Sequence, residues 1–150
     1  MTTPAAPFRE GPFLIAALIC EKLLTERDGV TSAIRIIDRL THYEVGPNPP
    51  ATMPAFNWKG SLLILFKSGR ARGPMTLRVP LEKPNGTRVA GLPNVINFEG
   101  EDDRGVELKT DIEIRLDMPG LYWFHVTLDD VELTRMPLRV FYQPKVIRIP

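Results

Sequence analysis

The sequence predicts an all-β protein, an antiparallel β-sandwich of seven or eight strands with an immunoglobulin-like or C2-like arrangement. Three observations favour this class. Apolar and polar residues alternate over several short segments, as in strands with one solvated face. The 15 prolines and 11 glycines divide the chain into short pieces, which suits strands better than long helices. Strand-like and helix-like segments do not alternate along the chain, so we expect sheets to pack on sheets.

The N-terminal part begins with an apolar run, residues 13–20 (FLIAALIC). It is far shorter than the roughly 20 residues of a membrane span, so we interpret it as a buried segment. Residues 14–27 fit a strand followed by a turn, because TERDG at 25–29 separates two apolar runs. The same residues include many helix formers, so one short helix here is the alternative to the favoured strand.

The middle of the chain contains three strand candidates around one proline-rich connection. Residues 30–40 alternate, and residues 60–68 carry LLILF without alternation, as in a strand covered on both faces. Residues 75–81 alternate up to Pro80, which should lie at an edge or a bulge. The four prolines within residues 46–55 predict an exposed crossover between the two sheets.

The C-terminal third has the clearest strand patterns. Residues 106–116 (VELKTDIEIRL) separate apolar from charged positions with a period of two. Residues 121–129 and 132–142 alternate in the same way, and Asp129-Asp130 stands between them. Two alternating runs joined by a short acidic turn are typical of a hairpin.

The 150 residues are enough for one domain, and their 43% hydrophobic content can supply one core. We therefore expect a single β-sandwich domain over residues 1–150, with a short disordered N-terminal segment. One cysteine excludes an internal disulfide, and the unpaired thiol fits a reducing compartment. The expected location is the cytoplasm, with no membrane contact.

Two segments resemble a known group of proteins. They are residues 20–40 (CEKLLTERDGVTSAIRIIDRL) and residues 119–140 (PGLYWFHVTLDDVELTRMPLRV). Together they resemble a group of short bacterial β proteins, a domain of unknown function. The resemblance implies a bacterial, single-domain, intracellular protein, and it carries over no functional residue.

Charge is segregated along the chain, although the formal net charge is only +1. Residues 59–98 contain seven Lys or Arg against one acid, and residues 99–134 contain three against eleven. Opposed blocks predict a protein partner or a homo-oligomer, formed through an edge strand or an oppositely charged face. The alternative is that neighbouring strands pair the blocks within one sheet. The small net charge argues against nucleic acid.

Two loops offer candidate ligands. Lys67, Arg70 and Arg72 lie among glycines and are candidate residues for anion binding, the alternative to an ordinary polar hairpin loop. Four carboxylates in two acidic turns are candidate calcium ligands at one end of the sandwich, because Ca²⁺ prefers oxygen ligands, but such turns are also typical of solvated hairpins and we expect no structural or catalytic metal. These four residues are Asp102, Asp103, Asp129 and Asp130.

No catalytic residue stands out. Cys20 ends an apolar run and is expected to be buried and inert. His42 and His125 lack a second ligand at metal-binding spacing, and His125 is expected at a half-buried sheet position beside Trp123. No nucleotide-binding glycine motif is present, so we expect no cofactor.

We therefore expect a non-catalytic binding or assembly module that acts through protein–protein contacts. The alternative is a small metal-dependent hydrolase, or a calcium-binding C2-like domain, that uses the acidic loops. A third possibility is a ligand carrier with an apolar cavity between its sheets.

Overall fold

The computed structural model describes residues 8–148 and 150, so the predicted disordered N-terminal segment lies outside the described residues. Every regular secondary-structure element in the described residues is a β-strand. The eleven strands are β1 Phe13–Thr25, β2 Thr31–Ile36, β3 Arg39–Gly46, β4 Phe56–Lys67, β5 Arg72–Arg78, β6 Leu81–Glu82, β7 Arg88–Val89, β8 Asn94–Glu99, β9 Gly105–Leu116, β10 Gly120–Leu128 and β11 Val131–Val146. These residues include no helix of the length and hydrophobicity that crossing a membrane requires.

The strands form two sheets, and the all-β prediction is confirmed. One sheet has the order β2-β1-β4-β9. The other has the order β3-β11-β10-β5-β8, with β6 paired to β10 and β7 paired to β6. The prediction of a wholly antiparallel arrangement is wrong, because β3 and β11 run parallel from Arg39↔Arg139 to Gly46↔Val146. A parallel pair needs a long connection, and here the chain between β3 and β11 provides it.

Both sheets contribute to one hydrophobic core. Leu62, Ile64 and Phe66 point inward from β4, and Tyr122 and Phe124 point inward from β10. All five are buried, as the unbroken apolar run in β4 predicts for a central strand. The two sheets therefore share one buried interior, and their outer faces remain available for contacts.

The N-terminal segment is a hairpin, and the alternative of a short helix over residues 14–27 is wrong. β1 pairs with β2 from Cys20↔Ile36 to Thr25↔Thr31 and with β4 on its other side. The predicted strand over residues 30–40 is divided into β2 and β3, because Arg35 has a positive φ of 54° and the pairing ends one residue later. The predicted crossover is confirmed, since residues 47–55 connect β3 in one sheet to β4 in the other.

The basic and acidic segments of the chain lie next to each other in the fold, as expected if neighbouring strands pair them within one sheet. β4 from the basic block pairs with β9 from the acidic block, and Lys59 lies opposite Glu113. Lys83 Nζ lies 2.9 Å from Asp117 Oδ2, and Asp117 keeps a lowered pKa because of this hydrogen bond. Much of the segregated charge is therefore neutralised within the fold.

Candidate functional site

The outer face of the larger sheet carries a surface built from alternate residues of three strands. On β11, Met136, Leu138 and Val140 are buried in the core, and the residues between them point outward. β10 and β3 alternate in the same way. We call the resulting surface the arginine–aromatic face; it comprises Tyr43, Leu121, Trp123, Arg135, Pro137, Arg139 and Phe141.

Trp123 and Arg135 form the centre of this face. The Arg135 guanidinium carbon lies 4.5 Å from the centroid of the Trp123 ring, a cation–π arrangement. Pro137 lies directly opposite Trp123 in the ladder between β10 and β11. Phe141 and Tyr43 extend the face toward β3, with 41% and 59% of their surfaces exposed. Exposed Phe141 and Tyr43 therefore lie on the same sheet face as the arginines, while Trp123 is half-buried under Arg135.

A buried histidine lies next to this centre and hydrogen-bonds to two glutamates. His125 Nε2 is 2.8 Å from Glu82 Oε2, and His125 Nδ1 contacts Glu132 Oε1. The His125 side chain is only 4% exposed, and the carboxylates are 28% and 48% exposed. The predicted half-buried position is therefore wrong for His125, while its place beside Trp123 on one face is confirmed.

The two carboxylates determine what His125 can do. Each ring nitrogen lies within hydrogen-bonding distance of one carboxylate, so the imidazole bridges Glu82 and Glu132. The hydrogen bond from His125 lowers the pKa of Glu132, outweighing the opposing effect of burial. Both nitrogens are occupied within the protein, which leaves none for a metal ion or a substrate. The cluster is suited to fixing β6, β10 and β11 beneath the arginine–aromatic face.

The four predicted calcium ligands lie in two separate turns. Asp129 Oδ1 accepts a hydrogen bond from the Thr76 backbone N–H at 2.8 Å, and Asp130 faces Arg78 at 3.7 Å. Asp102 and Asp103 lie in the turn before β9, where the Asp103 carbonyl accepts from Lys67. No group of three or more His, Cys, Asp or Glu in residues 8–148 is arranged to hold a metal ion. Calcium binding stays an untested alternative.

The predicted anion-binding loop uses its cations in local contacts. Lys67 Nζ donates to the Asp103 carbonyl at 2.9 Å, and Arg70 Nη1 lies 3.4 Å from Glu10 Oε1. Arg72 lies opposite Glu99 in the ladder between β5 and β8. The loop does bring the three cations to one turn region, and anion binding there stays a prediction.

Cys20 is fully buried, as predicted, on β1 beside β4. Burial raises the pKa of its thiol, which disfavours the reactive thiolate. We expect a thiol reagent such as dithionitrobenzoate to label the native protein far more slowly than the urea-unfolded protein. Cys20→Ser should lower stability, because it buries a more polar group without changing an exposed surface. Labelling of the native protein at the rate of a free peptide thiol would contradict this prediction.

The third possibility, a cavity between the sheets, corresponds to an open cleft of about 330 Å³. Inward side chains of β4, β6 and β10 form its floor, among them Leu62, Leu81 and Phe124. The inner side of β9 forms one wall, and the segment that carries the 84% exposed Leu92 forms the other. The cleft is mainly apolar and opens along the free edge of β9.

These features define a class, an all-β protein with two sheets on one core and an arginine–aromatic outer face. The chain belongs to a family of unknown function, DUF6941, whose model matches residues 15–141. This agrees with the resemblance to an uncharacterised domain that the sequence suggested. No curated protein matches the chain.

The chain has a partial likeness to solved structures. Among them is the alkylpurine DNA glycosylase AlkC of Pseudomonas fluorescens bound to DNA containing an abasic site analog, with 16% identity and a TM-score of 0.38. The match covers 55% of this chain and 25% of the glycosylase chain. This chain therefore corresponds to only about a quarter of that protein's length.

Proposed function

We propose that this protein is a non-catalytic binding module whose arginine–aromatic face holds an acidic surface of a protein partner. The observation that carries the proposal is that the exposed Arg135 and Arg139 and the half-buried Trp123 lie together on one sheet face. Tryptophan, tyrosine and arginine dominate the residues that contribute most to binding at protein interfaces. An exposed cluster of such residues on a stable sheet is typical of an interaction surface.

The charge of the face selects an acidic partner. Within the described residues, neither Arg135 nor Arg139 has a carboxylate within ion-pair distance. Glu82 and Glu132 hydrogen-bond to His125, and the charge of Arg135 adds to the effect of that hydrogen bond in lowering the pKa of Glu132. Arg39 lies opposite Arg139 on the same side of the sheet, and its own charge is paired with Asp38 at 3.2 Å. A partner that presents Asp or Glu would satisfy guanidinium groups that have no carboxylate of their own.

Arg135→Glu combined with Arg139→Glu should abolish partner capture. Wild-type protein is immobilised and exposed to a lysate of bacteria that encode it. Each retained protein is then purified and titrated against the wild type and against the double variant. We expect the wild type to retain an acidic protein and the double variant to bind it at least about a hundredfold more weakly, since two hot-spot charges are reversed. Trp123 fluorescence should change on binding in a Trp58→Phe background.

The matched control is Arg70→Glu combined with Arg72→Glu, which reverses two cations in the turn between β4 and β5. This control should keep the partner affinity within a few-fold. The proposal is wrong if the control abolishes binding and the face variant does not. It is also wrong if the purified partner contacts a different surface and leaves the Trp123 signal unchanged.

We also propose an immunoglobulin-like or C2-like sandwich topology and a bacterial cytoplasmic location. The Tyr122 hydroxyl donates to the Met118 carbonyl at 2.8 Å, four residues upstream, which supports the first proposal because immunoglobulin-type sandwiches use such a tyrosine corner. The single buried thiol supports the second, since free thiols persist in reducing compartments. Fractionation of the source cells tests the location.

A further inference from the structure

The free edge of β9 is the longest strand edge of the fold. β9 has twelve residues, whereas the other edge strands β2, β8 and β3 have six, six and eight. β4 pairs with one side of β9 from Phe56↔Leu116 to Lys67↔Gly105, and no strand of the described residues pairs with the other side. Exposed edges are protected by proline, a bulge, an inward charge or outward charged side chains, lysine above all. Residues 106–116 of β9 have no proline, bulge or inward charge, and their outward charges, Lys109 among them, are of both signs.

The inner side of β9 is also incompletely covered. Leu108, Ile112 and Ile114 point inward but are only partly buried, whereas Leu62 and Ile64 on the neighbouring β4 are buried. The apolar cleft between the sheets opens along this edge. A further strand beside β9 would satisfy its free backbone groups and cover these side chains at the same time.

We propose that β9 pairs antiparallel with β9 of a second copy of this chain, around a two-fold axis at Asp111. In this register Glu107 faces Arg115 of the second copy, and Lys109 faces Glu113 of the second copy. By symmetry each attraction occurs twice, and the only like-charged pair is Asp111 with its counterpart. On the inner side Leu108 faces Ile114, so apolar residues also meet.

Other registers fit less well. A shift by one residue would place charged side chains opposite inward-facing apolar ones. A shift by two in one direction places Glu107 opposite Glu113, and a shift by two in the other places Lys109 opposite Arg115 and Asp111 opposite Glu113. The charge pattern of β9 therefore selects one self-complementary register, as a two-fold interface requires.

The test is sedimentation equilibrium of the full chain over a range of concentrations and salt. We expect a monomer–dimer equilibrium that salt weakens, because exposed charges are screened beyond about 8 Å at physiological ionic strength. Arg115→Glu replaces two attractions by two repulsions and should weaken the dimer about tenfold. Glu107→Arg combined with Arg115→Glu should restore it. Asp111→Asn should strengthen it about threefold, because it removes the one repulsion and keeps an oxygen for the Ser61 hydroxyl at 2.9 Å.

Arg139→Glu on the other sheet is the control and should leave the dimer unchanged, so this proposal and the proposed partner-binding face fail separately. Glu107 and Arg115 lie opposite Leu65 and Asn57 on β4, so their exchange places no like charge directly opposite them on β4. A monomer at every concentration and low salt would overturn the proposal. So would a dimer that Arg139→Glu disrupts, or one that neither Arg115→Glu nor Asp111→Asn alters.

Discussion

Phe66→Ala should lower the free energy of unfolding by about 3–5 kcal/mol, the range for truncating a buried aromatic residue. The Phe66 side chain is 1% exposed and meets the ring of Phe98 edge-on, with centroids 5.7 Å apart and an interplanar angle of 86°. Phe66 belongs to β4 and Phe98 to β8, so the contact joins the two sheets. The substitution opens a cavity between them and removes a favourable aromatic pair. Urea unfolding followed by circular dichroism measures the loss.

Phe13→Ala is the matched control, because Phe13 is 42% exposed at the start of β1. Its loss should stay below about 1 kcal/mol. If the sheets share one core, Phe66→Ala lowers the unfolding midpoint of a single cooperative transition. Equal losses for the two variants, or separate transitions for the two sheets, would contradict the shared core.

Local alternation predicted the strands with one solvated face, because the side-chain period of two is a property of each strand alone. The pattern over residues 106–116 corresponds to β9, and the turn at Asp129-Asp130 joins β10 to β11 as expected. Both aspartates have positive φ, 45° and 63°, as a two-residue hairpin turn requires. Pro80 lies between β5 and β6, where its missing N–H costs no ladder bond, and its carbonyl accepts from the His125 backbone N–H.

Features that depend on distant pairing were not predictable from these patterns. β6 and β7 have two residues each, too few to show a period. The prediction of seven or eight strands was therefore too low. The parallel pairing of β3 with β11 joins segments far apart in the chain, so no local turn signals it.

The histidine–glutamate cluster was missed for the same reason. A regular hairpin closed at Asp129-Asp130 would place His125 opposite Thr134, but a register shift between Val126 and Thr127 places it opposite Arg135. The shift is a property of the folded ladder and leaves no proline or glycine signal in the sequence. Glu82 lies on β6, a strand too short for alternation to identify. The alternation over residues 121–129 and 132–142 and the place of His125 beside Trp123 were the parts of this face that the sequence indicated in advance.

His125→Ala should lower the free energy of unfolding by about 1–3 kcal/mol at neutral pH, because it removes a buried partner from two carboxylates. Glu82 and Glu132 both contact the imidazole, and without it they face each other across the space it leaves. His125→Ala combined with Glu132→Gln should be less destabilised than the sum of the single variants. The coupling should be about 0.5–1 kcal/mol, since the half-exposed Glu132 carboxylate is screened by water.

The decrease in the free energy of unfolding caused by His125→Ala should also be smaller at acidic pH. The hydrogen bond from His125 lowers the pKa of Glu132 below that of an unfolded-chain glutamate, so the folded state favours the ionised carboxylate. This stabilisation is complete at pH values above the ordinary glutamate range and is lost as the pH falls through the lowered folded pKa. Thermal unfolding of both proteins from neutral pH to strong acid measures the difference. A difference that stays constant or grows as the pH falls would show that the contact between His125 and Glu132 does not stabilise the sheet beneath the arginine–aromatic face.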